Sequence, residues 1–398
     1  MNGKMPGVTL IAEWEPKPGF KLGVKDVEGR QTYLGSQVWR NPRLEIRDYQ
    51  IPSPGPEQVL LEVKACGICG SDVHMAQADE QGYIYYPGLT GFPSILGHEF
   101  SGIVVEAGKQ AINKRTNQPF MPGEAVTSEE MLWCGQCKPC ADGWPNHCER
   151  LDEVGFNVNG AYTHYIVVPS RTVWSLEPLK KHYHGDDIFI AGSLVEPTSV
   201  AYNAVIERGG GIRPGDRVVI LGGGPVGIAA CAILKRAGAS KVIISETQEN
   251  RAQMALKLGA DVHINPLKED FATRVLEITD GMGADLFMEA TGLPELVYPG
   301  IERVIWEGRT LNSTVVVTAR ADAKMPVMGE VLQVRRARIV GAQGHSGHGN
   351  FPRVIDCMAD GMDMTPMSTK KVSLDELPEN IIKLQNDRSE CKITYLAG

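Results

Sequence analysis

Short apolar runs broken by glycine and proline fill the first half of the chain. VLLEVKAC (59–66), SGIVVEAG (101–108) and AYTHYIVVP (161–169) read as strands, and KQAINKRTNQPFMPG (109–123) reads as a polar loop between two of them. From about Glu196 the rhythm changes. RVVILGGG (217–224) predicts a buried strand, PVGIAACAILKRAGA (225–239) a helix and KVIISE (241–246) a second strand; GADLFMEATG (283–292) and RIVGAQG (338–344) predict further strands with helical patterns between them. Alternation of strand and helix predicts a parallel, doubly wound sheet. The expected class is α/β, with a β-rich half before the doubly wound one. Residues 1–33, rich in glycine and charge, read as an extension or edge decoration.

At 398 residues, with 42% hydrophobic residues and 44 glycines, the chain is long enough for two domains and for a core that needs no disulfides. No basic region followed by a long apolar run stands at the N-terminus, and no stretch offers eighteen consecutive apolar residues, so a cytoplasmic protein without a membrane partner is expected. Nine cysteines, an odd number, then point to reduced thiols and metal ligation. A formal net charge of −8 argues against nucleic acid as a partner.

GGGPVG (222–227) places Gly222, Gly224 and Gly227 in a G-x-G-x-x-G pattern that ends a strand and opens a helix, where backbone N–H groups and the helix dipole favour a pyrophosphate. Glu246 stands nineteen residues beyond Gly227, at the end of the next strand. A carboxylate there accepts hydrogen bonds from ribose hydroxyls and repels a 2′-phosphate, which favours NAD over NADP. Pro225, Val226 and Arg251 complete the candidate cofactor contacts.

Cys134, Cys137, Cys140 and Cys148 follow the spacing C-x2-C-x2-C-x7-C. Four thiolates on one compact loop satisfy tetrahedral zinc and leave no open position, so this site is structural. A redox pair explains only two of the four; haem attachment needs a histidine where Lys138 and Ala141 stand; an iron–sulfur cluster is the remaining alternative. A second set is dispersed: Cys69, His98 and either Glu99 or Glu196 offer thiolate, imidazole and carboxylate, a mixture suited to catalytic zinc, although such sites accept other divalent ions too.

The order CGICGSD, GHEFSG, four-cysteine lobe, GGGPVG resembles the zinc-dependent medium-chain dehydrogenase family, from roughly Gln37 to the C-terminus. The resemblance implies a GroES-like catalytic domain (1–200 and 342–398) with a Rossmann NAD-binding domain (201–341) inserted, one catalytic and one structural zinc per chain, and a homodimer or homotetramer. It implies that zinc lowers the pKa of an alcohol whose hydride passes to the nicotinamide. Cys69 and His98 match the family's first two ligands. Glu99 matches a residue that binds zinc in some members and stands behind it in others, and Glu196 falls where sorbitol-type members place a glutamate. Ser71 and His74 match the proton relay, and Asp72 a carboxylate that orients His98.

The substrate class so implied is a secondary alcohol in a polyol or cyclitol, an inosose being the narrower candidate and 2,3-butanediol, sorbitol or threonine the alternatives. Residues 75–94 should overhang the site. The loop GAQGHSGHGNFP (341–352) lacks the arginine usual in sorbitol-type members and carries His345 and His348, to which the sequence assigns no role. A non-catalytic NAD-binding protein is the reading from a different class, and the full ligand set argues against it.

Overall fold

A computed structural model describes residues 3–27, 32–321 and 323–397. Strand β1 (Lys4–Trp14) pairs antiparallel with β2 (Trp39–Gln50), from Lys4 opposite Gln50 to Trp14 opposite Trp39. β3 (Gln58–Gly67) leads into the short helix α1 (Gly70–Ala76), β4 (Ser94–Ile95) closes on β1 at Thr9 and Leu10, and β5 (Glu99–Ala107) lies along β3. The N-terminal segment is therefore no edge decoration. Val8 and Leu10 are fully buried in one cluster with Trp39 and Ile95, because β1 is the middle strand of its sheet, between β2 and β4. Residues 1, 2 and 28–31 of that segment lie outside the described residues.

The polar connection 109–123 carries a small hairpin, β6 (Ile112–Asn113) with β7 (Gln118–Pro119). Then come β8 (Ala125–Ser128), β9 (Met131–Leu132), the single turn α2 (Lys138–Ala141), β10 (Asp152–Glu153), β11 (Tyr165–Pro169) and β12 (Val173–Ser175). Helices α3 (Asp187–Ser193) and α4 (Val195–Tyr202) lead out of this half.

The second half runs β13 (Arg217–Leu221), α5 (Pro225–Arg236), β14 (Lys241–Ser245), α6 (Glu249–Leu258), β15 (Val262–Ile264), α7 (Phe271–Ile278), β16 (Leu286–Glu289), α8 (Pro294–Glu307), β17 (Thr314–Val317), α9 (Gly329–Arg335) and β18 (Arg338–Gly341). Its six strands are parallel in the order β15-β14-β13-β16-β17-β18. Chain order reverses between β13 and β16. In such sheets ligands lie outside the carboxyl ends of the strands at that point.

Past α10 (Asn350–Ala359), the chain adds β19 (Ser368–Val372), α11 (Leu377–Lys383) and β20 (Lys392–Leu396) to the first sheet, whose order is β12-β8-β5-β3-β20-β19. β3 gives one edge to β5 along its length and divides the other between β11, at Gln58–Glu62, and β20, at Ala65–Gly67. The C-terminal strand thus lies beside the start of α1. No described helix is long and apolar enough to cross a membrane.

Leu10→Ala removes a fully buried side chain from the β1–β2–β4 core and should cost about 2–5 kcal/mol. Urea unfolding is the measurement, and an unchanged midpoint would return β1 to the role of decoration.

Candidate active site

The four-cysteine lobe hangs between β9 and β10. Gly135 and Gly143, at φ 76° and 88°, make the turns that fold it back on itself. The four sulfurs lie within 4.8 Å of one another; Cys137 Sγ is 3.5 Å from Cys140 Sγ and 3.8 Å from Cys148 Sγ. A tetrahedron built on zinc–sulfur bonds of about 2.3 Å has edges of about 3.8 Å, whereas a disulfide closes to about 2.05 Å. All four cysteines are free thiols. The backbone N–H of Gln136 helps hold Cys134 down to about 5, while burial pushes Cys140 up to about 12. Four thiols this close cannot all ionise without a cation between them, so the donor set fits a divalent metal.

The dispersed set also converges. One donor atom each from Cys69, His98 and Glu99 falls within 4.8 Å of the others. Cys69 is the N-cap of α1, and Asp72, three residues on, accepts its backbone N–H at 2.9 Å. The other claim on Asp72 Oδ2 is the hydroxyl of Tyr162, which donates at 2.8 Å. Asp72 Oδ1 stands 3.6 Å from His98 Nδ1, too far for a hydrogen bond, and the opposite ring nitrogen, Nε2, is 3.4 Å from Ser71 Oγ. Burial opposes charge on His98, yet the nearby Asp72 and Cys69 raise its pKa well above the usual imidazole value. A positive charge is wanted at this spot, and a metal on Nε2 supplies one.

Glu99 and Glu196, which sequence alone leaves as alternatives, separate here. Both oxygens of Glu99 are taken by Lys392 Nζ, at 2.7 and 2.6 Å, and the same ammonium donates to the Ile68 carbonyl at 3.0 Å; each side chain is 2% exposed. Glu99 thus carries its own countercharge within the cluster. Glu196, on the first turn of α4, belongs to another buried group with Glu130 and His345. His345 Nε2 contacts Glu130 closely and lies 3.5 Å from Glu196 Oε1. Burial pushes Glu196 up to about 8, whereas for Glu130 the adjacent His345 outweighs burial and lowers the pKa. His345 and Glu130 form the pair, and Glu196 is the carboxyl left over. His348 sits apart, edge-on to Trp144 at 5.2 Å.

A cavity of about 370 Å³ joins this cluster to the carboxyl ends of the parallel strands. Cys69, Ser71, His74 and Glu99 line one end, and Gly224, Pro225, Val226, Gly227 and Arg251 the other. Gly222 adopts φ 102°, and a Cβ at Gly227 would sit 2.0 Å from the Gly222 carbonyl oxygen, so the loop and α5 meet only as glycine allows. In front of Gly224, the N-cap of α5, nothing stands within 4 Å of a Cβ position. Glu246 lies behind the glycine loop, accepting from Gly223 N at 2.5 Å and from Thr247 and Gln248 N at 2.7 Å. The glycine cradle fits a dinucleotide pyrophosphate.

Two family models match this chain, an alcohol dehydrogenase GroES-like domain over residues 55–178 and a zinc-binding dehydrogenase over 225–360. Scyllo-inosose 3-dehydrogenase of Thermotoga maritima is 63% identical over 395 residues, 98% of this chain and all of that one. The chain belongs to the zinc-dependent medium-chain dehydrogenase family. It is therefore an oxidoreductase, with zinc and NAD as its family cofactors. A solved structure from Thermotoga maritima, described as an alcohol dehydrogenase, superposes with a TM-score of 0.95 at 63% identity, covering 99% of this chain and 100% of that one. L-threonine 3-dehydrogenase of Pyrococcus abyssi is 34% identical over 67% of this chain and 70% of its own.

For a medium-chain dehydrogenase, several side chains at the site escape motif reading. Lys392 and Tyr162 are held against Glu99 and Asp72, and Tyr86 and Arg320 line the cavity with the guanidinium 5.5 Å over the ring. Of the segment 75–94, Tyr86 alone reaches the cavity wall. One sign of Lys392 was present: in CKITYL the lysine stands between Cys391 and Ile393 in a mostly apolar strand.

Lys392→Met leaves Glu99 charged and unpartnered in the interior and should destabilise the fold by about 3–5 kcal/mol, with much of the loss recovered by adding Glu99→Gln. Chemical denaturation of the two variants checks this; a single variant as stable as wild type would mean that the pair is not the buried contact described.

Proposed function

We propose that this chain oxidises a ring hydroxyl of a cyclitol, an inosose being the leading candidate, to a ketone with NAD. The observation that carries the reading is the single cavity that brings the Cys69–His98 cluster and the glycine cradle face to face. Identity of 63% across nearly the whole chain to a scyllo-inosose 3-dehydrogenase supports the substrate class. Tyr86 and Arg320 in the wall offer a hydroxyl and a guanidinium to a hydroxyl-rich ring.

Cys69 and His98 hold the catalytic zinc in this reading, and Cys134, Cys137, Cys140 and Cys148 a structural one. When bound, zinc supplies a Lewis acid to the substrate oxygen and NAD a hydride acceptor. Asp72 fixes the ring of His98 from behind. Ser71 Oγ takes the hydroxyl proton of the substrate, and His74, one turn further along α1 and on the same cavity wall, moves it toward solvent. Burial, aided by the charge of Arg388, lowers the pKa of His74, so the imidazole is neutral at pH 7 and able to accept a proton. Glu246 selects NAD by repelling a 2′-phosphate.

The domain division at about residues 200 and 341, catalytic on the outside and cofactor-binding within, follows the two sheets. Nine free thiols favour a reducing, cytoplasmic setting. The open edge of β18 and the exposed apolar side chains Leu293, Leu296, Trp306, Val327 and Met328 favour a homodimer or a homotetramer.

The first test is NADH formation at 340 nm by zinc-loaded protein with scyllo-inosose, myo-inositol, sorbitol, 2,3-butanediol and threonine. Preference for the cyclitols is expected, as is loss of turnover in Cys69→Ser with NAD binding retained. Threonine as the best substrate would transfer the assignment, and NADP serving as well as NAD would remove Glu246 from the ribose contact. Light scattering should give at least twice the chain mass of 43.4 kDa, and a monomer would sink the oligomer.

A further inference from the structure

Three guanidiniums line the cavity that joins the metal cluster to the glycine cradle. Arg251 is engaged, donating to the Glu390 carbonyl, and Arg388 stands near enough to it for their charges to repel. A dinucleotide in the cradle would answer these two. Arg320 is different. It stands three residues beyond β17, at the carboxyl end of the parallel sheet, and its guanidinium lies 5.5 Å over the ring of Tyr86, which belongs to the other half of the molecule. That ring packs 5.3 Å from the ring of Phe156, and Phe156 packs 4.6 Å from His98. The stack places Arg320 toward the metal end of the cavity. Among the described residues Arg320 makes no hydrogen bond or ion pair, and the Tyr86 hydroxyl makes no hydrogen bond. Two polar groups of the wall are thus left for a ligand.

The two differ in what they can read. Burial and the neighbouring Glu153 push the Tyr86 phenol up, so it stays a hydroxyl that both donates and accepts, whereas a guanidinium only donates. A ring carbonyl takes two N–H bonds from a guanidinium with nothing left over. A ring hydroxyl accepting in that place must still find an acceptor for its own hydrogen, and the guanidinium offers none. Glu153 and Glu130 both bear on Tyr86, so a ligand bringing a negative charge to this wall meets repulsion that a neutral acceptor does not. We propose that Arg320 is a specificity-determining residue that grips a ring carbonyl of the substrate away from the reacting carbon, so that a keto-cyclitol such as an inosose is oxidised in preference to its parent inositol, which carries a hydroxyl there. The inference rests on the reading that the cavity oxidises a cyclitol with NAD.

The test compares kcat/KM of the zinc-loaded enzyme for scyllo-inosose and for myo-inositol in wild type, Arg320→Met and Arg320→Lys, with the Kd for NADH measured by fluorescence alongside. Arg320 is exposed at the cleft, so its replacement spares the core. Arg320→Met should lower kcat/KM for scyllo-inosose about 10- to 100-fold, the worth of hydrogen bonds to a charged group, and that for myo-inositol less than about 3-fold, with NADH binding unchanged. Arg320→Lys should keep part of the preference, because it retains the charge but not the paired donors. If myo-inositol is not turned over, its Ki against scyllo-inosose takes the place of its kcat/KM and should stay at the wild-type value in Arg320→Met. Equal losses on both compounds, or no loss on either, would overturn the proposal and leave the cyclitol reading standing. Weaker NADH binding that accounts for the lost turnover would make Arg320 a cofactor contact and overturn the proposal as well. A wild type that oxidises neither cyclitol would overturn the cyclitol reading itself, and the proposal with it.

Discussion

A carboxylate at 2% exposure beside a thiol and an imidazole stays charged only with a partner, and for Glu99 that partner is Lys392, whose ammonium touches both of its oxygens. The contact joins residues 293 positions apart and fixes where the chain ends. Lys392 opens β20, which takes up the free part of β3 next to Gly67. Gly67 admits no side chain, since a Cβ there would lie 2.3 Å from Glu99 Oε2. Without the pair, β20 would bury a lone ammonium and β5 a lone carboxylate, on either side of the strand that leads into Cys69.

Around that pair the interior is richer in acids than in fixed cations. Asp72, Glu99, Glu130, Glu153 and Glu196 are all buried, and among the described residues Lys392, His98 and His345 are the buried groups that answer them. Glu153, with no hydrogen bond to its Oε2, is pushed up to about 7 by burial and by Glu130. An interior this acidic favours a divalent cation. The same arithmetic separates the two carboxyls that sequence offered as ligands: Glu99 has a full countercharge of its own, and Glu196 has a share of one.

Features carried on short stretches were legible from the sequence. The four cysteines within residues 134–148, the strand–GGGPVG–helix unit and Cys69 through His74 each lie on one short continuous segment, where spacing constrains geometry. The two-part α/β fold was legible for the same reason, since apolar period distinguishes the halves. What escaped is long-range. Tyr162 meets Asp72 across 90 positions and His345 meets Glu130 across 215, and no local pattern encodes either. The strand Lys4–Trp14 escaped differently, because Gly3, Gly7 and the charged stretch after Trp14 outweigh a short alternation in a composition-based reading.

The C-terminal stretch from Arg388 to Lys392 ties the cofactor side to the metal side. Arg251, on α6 of the parallel-sheet half, donates to the Glu390 carbonyl at 3.2 Å, and Asn250 donates to that of Ser389. Two residues on, Lys392 holds Glu99, while Arg388 lines the cavity and lowers the pKa of His74. An anionic dinucleotide in the glycine cradle would lie beside these same cations. The chain returns to its first sheet after completing the second, and that return puts one short segment in contact both with α6 of the parallel-sheet half and with Glu99 of the first sheet.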